Sequence, residues 1–87
     1  MTHEMTSYEE TISSFILKHI NQSELDYDLR IFEEGLVNSL FAIELMTFLE
    51  KSFKIKIRIV DLDMEHFQSV HSIAAFVNNK QAEVHHA

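Results

Sequence analysis

The stretch Phe32-Glu33-Glu34-Gly35-Leu36-Val37-Asn38-Ser39-Leu40 contains the only glycine of an 87-residue chain. It lies where a polar segment gives way to an apolar one. Glycine takes positive φ at no steric cost, so Gly35 is expected to bend the chain. Leu36 and Val37 then return toward the core. Asn38 and Ser39 are both favoured helix N-caps, and an apolar run opens at Leu40. The hydroxyl of Ser39 is thereby set at a helix N-terminus, at the end of an exposed loop. Backbone N–H groups at such a terminus favour an incoming phosphate. Read from the residues alone, Ser39 is more simply a plain N-cap.

Working outward, Tyr8, Thr11, Ile12, Phe15, Ile16, His19 and Ile20 follow the i, i+3, i+4, i+7 spacing of an amphipathic helix. A first helix is expected from about Ser7 to Ile20, opened by a Ser7/Glu10 or Thr6/Glu9 capping box and closed by Asn21-Gln22-Ser23. Asn21 to Asn38 then reads as a long loop, kept wet by Asp26, Asp28, Glu33 and Glu34 and pinned to the core by Leu25, Leu29, Ile31 and Phe32. A loop of this length in a small domain is usually functional or carries a helical turn. A second helix is expected from Ser39 to about Phe53, with Leu45, Met46, Leu49 and Phe53 on the core face and Ala42 at a close helix approach. Leu40, Phe41 and Ile43 cannot all be buried as well, so part of this helix is expected to face a partner.

Phe53-Lys54-Ile55-Lys56-Ile57-Arg58-Ile59 alternates like a strand, but no second strand of similar quality exists to pair with it. It is read as an extended loop, isoleucines inward and Lys54, Lys56 and Arg58 in water. Asp61 or Asp63 can cap a short third helix at about Met64 to Phe67, and Ser69 a fourth bearing Val70, Ile73, Ala74, Phe76 and Val77. Asn78-Asn79 are expected to stop that helix, leaving a polar, mobile tail from Lys80. The acids 61, 63 and 65 lack the glycine and distal glutamate of a calcium loop, and His66 and His71 have no cysteine nearby to suggest zinc. No metal site is expected.

Composition sets the bounds. The net charge is −7, which argues against a nucleic-acid partner. Residues 1 to 50 hold ten acids and two bases, residues 51 to 87 five bases and four acids. With no cysteine, helix packing has to suffice for stability. No run approaches a membrane span and no signal pattern opens the chain, so a cytoplasmic location is expected. None of the six histidines has a context that sets it beside Ser39, and no nucleophile elbow, phosphate loop or dinucleotide fingerprint occurs. Ser39 reads as a substrate rather than a catalyst, and the chain is not expected to be an enzyme.

The motif resembles the attachment site of acyl and peptidyl carrier proteins, whose pattern is an acidic-hydrophobic loop, a glycine, then Asp-Ser-Leu opening the second helix. The resemblance continues through Glu44-Leu45, Leu49-Glu50-Lys51-Ser52-Phe53, Phe67-Gln68-Ser69-Val70 and Ile73-Ala74-Ala75-Phe76-Val77. It implies an all-α, four-helix acyl-carrier-like bundle with three long helices, one short helix and a long first loop. It implies one carrier domain over residues 1–87, with an ordered core at about 7–79. The cofactor it implies is 4′-phosphopantetheine, moved from coenzyme A onto Ser39 by a phosphopantetheinyl transferase. The thiol of that arm would then hold acyl or aminoacyl groups as thioesters.

Further implied partners are a loading ligase and a downstream acyltransferase or synthase, met by a monomer. Asn38, Leu40, Phe41, Ile43, Glu44 and Thr47 are the expected docking residues. The motif is most similar to stand-alone carriers of specialised polyketide or nonribosomal peptide clusters, or to D-alanine carriers. Two departures stand out. Asn38 replaces the family aspartate, and the second helix has only Glu44 and Glu50 as acids, so apolar contact is expected to dominate docking. Met46, Leu49 and Phe76 are candidates for a cargo cleft or for ordinary core. The rival from another class is an unmodified helical adaptor binding a protein through the second helix.

Overall fold

Ile12 and Ile16, one helical turn apart, are both fully buried, and they set the inward face of the first helix, α1 (Glu4–Ile20). The computed structural model describes the backbone of residues 4–86 and the side chains of residues 8–82. α1 begins at Glu4, one turn earlier than the sequence suggests, so the backbone of Thr6 and Ser7 lies within it, and the capping box expected there falls outside the described side chains. It ends as expected: Asn21 takes φ 59°, and the Gln22 N–H donates to the Leu17 carbonyl (3.3 Å), a left-handed closure of the last turn. The second helix, α2, spans Ser39–Phe53 and the third, α3, Val70–His86. Between them lie two short 3₁₀ turns, η1 (Ile59–Asp61) and η2 (Met64–Phe67). Among the described residues there is no strand, and the fold is all-helical and acyl-carrier-like. The expected short third helix is η2, capped by Asp63, whose Oδ1 accepts the Glu65 N–H (3.0 Å).

The core joins Ile12 and Ile16 of α1 to Phe41, Leu45 and Leu49 of α2 and to Val70, Ile73, Ala74 and Val77 of α3. Ile31 and Val37 from the first loop, Ile55 from the second and Phe67 from η2 complete it. Burying such side chains contributes about 1.5–3 kcal/mol each, which is what holds a chain without disulfides. In the second loop the alternation works for Ile55, buried, and Ile57, half-buried. It fails at Ile59, which is 86% exposed because η1 begins there and abandons the two-residue period.

α3 opens with a reciprocal serine pair. The Ser72 N–H donates to Ser69 Oγ (3.1 Å) and the Ser69 N–H to Ser72 Oγ (3.2 Å). The helix does not stop at Asn78-Asn79 but continues to His86, and the expected mobile tail from Lys80 is helical there. Asparagine within a helix costs well under ~1 kcal/mol, and tertiary contacts outweigh that. Lys80 is 5% exposed and its Nζ sits 2.9 Å from Asp61 Oδ2, while Gln81 Nε2 donates to the Phe53 carbonyl at the end of α2. The same Asp61 oxygen accepts the Arg58 N–H (2.9 Å), which folds η1 inward against α3.

The Arg58 N–H, first, and the Lys80 ammonium hold the Asp61 carboxyl below the usual carboxylate range. Its contribution to stability is therefore present above about pH 4 and is lost as pH falls through the depressed value. Lys80→Met keeps the buried stem and removes the ammonium, and is expected to cost about 1–3 kcal/mol at neutral pH. Urea unfolding at pH 7 and at pH 3 is the check; the difference between the two proteins should shrink at the lower pH.

Candidate functional site

Three backbone hydrogen bonds wind residues 30–36 into one tight turn before α2. The Glu34 N–H donates to the Arg30 carbonyl (2.9 Å), Gly35 to Phe32 (3.1 Å) and Leu36 to Ile31 (3.0 Å). Gly35 closes this turn at φ 77°, as its position in the sequence suggests. A Cβ there would meet nothing within 4 Å, so the demand for glycine comes from the dihedral and not from crowding. Val37 then returns to the core, 8% exposed, and the next residue caps α2.

Asn38 is that cap: its backbone is extended and its Oδ1 accepts the Phe41 N–H (3.1 Å). Ser39 is consequently the first helical residue, and it is exposed. The first N–H groups of a helix have no intrahelical partner, so the serine hydroxyl stands among free donors directed at solvent. Among the described residues, no histidine is hydrogen-bonded to the Ser39 side chain. Of the histidines whose side chains are described, His19 pairs with Glu44 (3.9 Å), His71 with Asp28 (3.2 Å), and His66 stacks near Phe76.

The expected docking residues divide. Leu40 and Ile43 are 64% and 60% exposed, and Asn38, Glu44 and Thr47 are exposed too. The Thr47 hydroxyl donates back to the Ile43 carbonyl (3.1 Å). Phe41 is a correction. It is fully buried, with its ring 5.6 Å from that of Phe15 and 4.3 Å from that of His19. The core face of α2 is rotated toward α1 relative to expectation, so Met46 and Phe53 are only half-buried. Leu49 and Phe76, candidates for a cargo cleft, are at 0% and 5% exposure and belong to the filled core.

The sequence reading missed the exposed Ile59, Val60, Leu62 and Met64. Alternation had assigned Ile59 inward, and Asp61 pairing with Lys80 was not legible, because the two are far apart in the chain. A groove of about 250 Å³ joins Ile59 and Leu62 to α2, with Ile43, Thr47, Glu50 and Arg58 also in its walls. Among the described residues no three metal-ligating side chains converge.

The pattern of known phosphopantetheine attachment sites matches residues 16–77 of this chain. The chain belongs to that family. It is 38% identical over 58 residues to the D-alanyl carrier protein of Lactococcus lactis subsp. lactis (strain IL1403), covering 67% of this chain and 73% of that one. The D-alanyl carrier proteins of L. lactis subsp. cremoris, strains MG1363 and SK11, align with the same identity and coverage. The protein is therefore a carrier, not itself a catalyst, and its cofactor is covalently attached 4′-phosphopantetheine. The described residues fit that group: an exposed hydroxyl at a helix N-terminus suits a phosphodiester.

Two substitutions separate the roles of neighbouring residues. Asn38→Ala is expected to destabilise by about 1 kcal/mol through loss of the cap, with Asn38→Asp close to neutral. Phe41→Ala should cost about 3–5 kcal/mol as a core cavity. Denaturant midpoints for the three variants test the assignment of cap and core.

Proposed function

We propose that Ser39 carries the 4′-phosphopantetheine arm and that the arm holds an aminoacyl group as a thioester, passed between a loading ligase and an acceptor enzyme. The observation that carries this reading is the exposed hydroxyl at the first position of α2, set there by the Gly35 turn and the Asn38 cap. In the modification the serine oxygen forms a phosphodiester as the pyrophosphate bond of coenzyme A breaks, and the adenosine bisphosphate portion leaves. The transferase supplies the base and the pull on the leaving group. This chain supplies position and access, which is the usual division of labour for group carriers. The arm's chemistry, when bound, is that of a thiol, which this cysteine-free chain otherwise lacks.

A small polar cargo is favoured over a long acyl chain. Leu49 and Phe76 fill the interior, so a bound group would remain outside the bundle. The likeness to D-alanyl carrier proteins points the same way, toward an amino acid and away from a polyketide or long peptide. The working site of such a carrier is the cytoplasm, where coenzyme A and ATP-dependent ligases meet it.

Incubation with coenzyme A and a promiscuous phosphopantetheinyl transferase, followed by intact-mass measurement, tests the assignment. The protein should gain the mass of one phosphopantetheinyl group, and Ser39→Ala should gain none. Modification persisting in Ser39→Ala would move the site elsewhere, and no gain in the unaltered protein would favour the adaptor.

A further inference from the structure

The residues of α2 that line the groove beside the second loop are Ile43, Met46, Thr47 and Glu50. Counted from Ser39 they stand at i+4, i+7, i+8 and i+11, positions that share one stripe of a helix. The groove therefore begins one turn above the exposed Ser39 and runs along the same side of α2 to Glu50. With a rise of about 1.5 Å per residue, Glu50 lies ~16 Å along the axis from Ser39. Ordinary bond lengths let two amide-linked units and a cysteamine cover a comparable distance when extended. The phosphopantetheine arm has that make-up.

Ile43, Met46 and Ile57 make much of the wall apolar, and two charged side chains enter it, Glu50 and Arg58. The two are not equivalent. Arg58 Nε lies 3.7 Å from Asp61 Oδ2, so its charge already has a partner. Glu50 is half-buried, and its Oε2 accepts the Ile57 N–H (2.8 Å). Among the described residues no cation pairs with it. Glu44, the other acid of α2, sits on the α1 side, 3.9 Å from His19. A half-buried carboxylate beside apolar side chains is stabilised by a cation that donates hydrogen bonds. An aminoacyl thioester presents such a cation, an α-ammonium with its N–H donors. A plain acyl thioester presents only hydrocarbon there and leaves the carboxylate unmatched.

We propose that Glu50 receives the α-ammonium of the aminoacyl group borne on the Ser39 arm, and so makes this chain distinguish an aminoacyl load from an acyl load of the same size. The inference rests on the aminoacyl-carrier reading and adds the residue that recognises the cargo. The Ile57 N–H fixes the carboxylate through Oε2, which leaves Oε1 to meet a donor.

A promiscuous phosphopantetheinyl transferase can load the full-length chain from two coenzyme A derivatives, one bearing alanine and one propionate, each joined by an amide in place of the thioester. The loads then resist hydrolysis and differ only in the ammonium. Proton–nitrogen correlation spectra, compared with the protein bearing the bare arm, give the readout. In the unaltered protein the alanyl load should shift the Glu50 and Ile57 amide signals about two-fold or more as far as the propionyl load does. Raising sodium chloride from ~50 mM to ~500 mM should shrink that difference. Glu50→Gln keeps an acceptor for the Ile57 N–H and removes the charge, and the two loads should then shift these signals alike. Glu44→Gln should retain the difference; its loss there as well would assign it to the overall charge of α2 and overturn the role of Glu50. Equal shifts in the unaltered protein, or a difference that persists in Glu50→Gln, would also overturn the proposal. In each of these cases a mass gain at Ser39 leaves the carrier reading standing, whereas no gain in the unaltered protein removes that reading and this one together.

Discussion

The position of Ser39 depends on how the long first loop is tied to the start of α3. Two backbone hydrogen bonds do this: the Ile31 N–H donates to the Gln68 carbonyl and the His71 N–H to the Tyr27 carbonyl, each at 2.9 Å. Ile31 is fully buried between them. A loop without regular structure has many backbone groups to satisfy and much entropy to lose. Anchoring it by its own main chain answers both. The side-chain pairs Asp28–His71 and Arg30–Glu65 run across the same seam, but they are exposed and add little.

From that seam the rest of the site follows. With Ile31 fixed, the turn at residues 30–36 closes through Gly35, which takes a left-handed backbone. Val37 then descends to the core and Asn38 caps α2, so the next hydroxyl emerges at the surface. A carrier needs a reactive point that a separate enzyme can reach, held on a rigid element. A helix N-terminus provides both: the helix is braced by Phe41, Leu45 and Leu49, and its first donors are open to a phosphodiester.

The interior and the surface divide the work of recognition. The core is filled by side chains from all three helices. The apolar residues left over are on the outer stripe of α2 and on η1–η2, and the second loop brings cations beside them. The charge asymmetry visible along the chain thus becomes an asymmetry in space. The acid-rich first half supplies α1 and the first loop, and the base-rich stretch 51–58 brings Arg58 into the groove wall opposite Glu50 of α2.

Much of this was legible in the sequence. Gly35, the Asn38 cap, the start of α2 and the short turn at 64–67 depend on local chemistry, because dihedral preference and capping act over a few residues. The family resemblance of the motif pointed to the cofactor. What the sequence could not decide were features set by partners distant in the chain. Phe41 is buried because Phe15 and His19 of α1 lie against it. α3 continues past Asn78-Asn79 because Lys80 finds Asp61 and Gln81 finds the end of α2. Ile59 faces solvent because η1 breaks the alternation that placed it inward. Periodicity tells which residues share a side of an element, and only the neighbouring elements tell which side is covered.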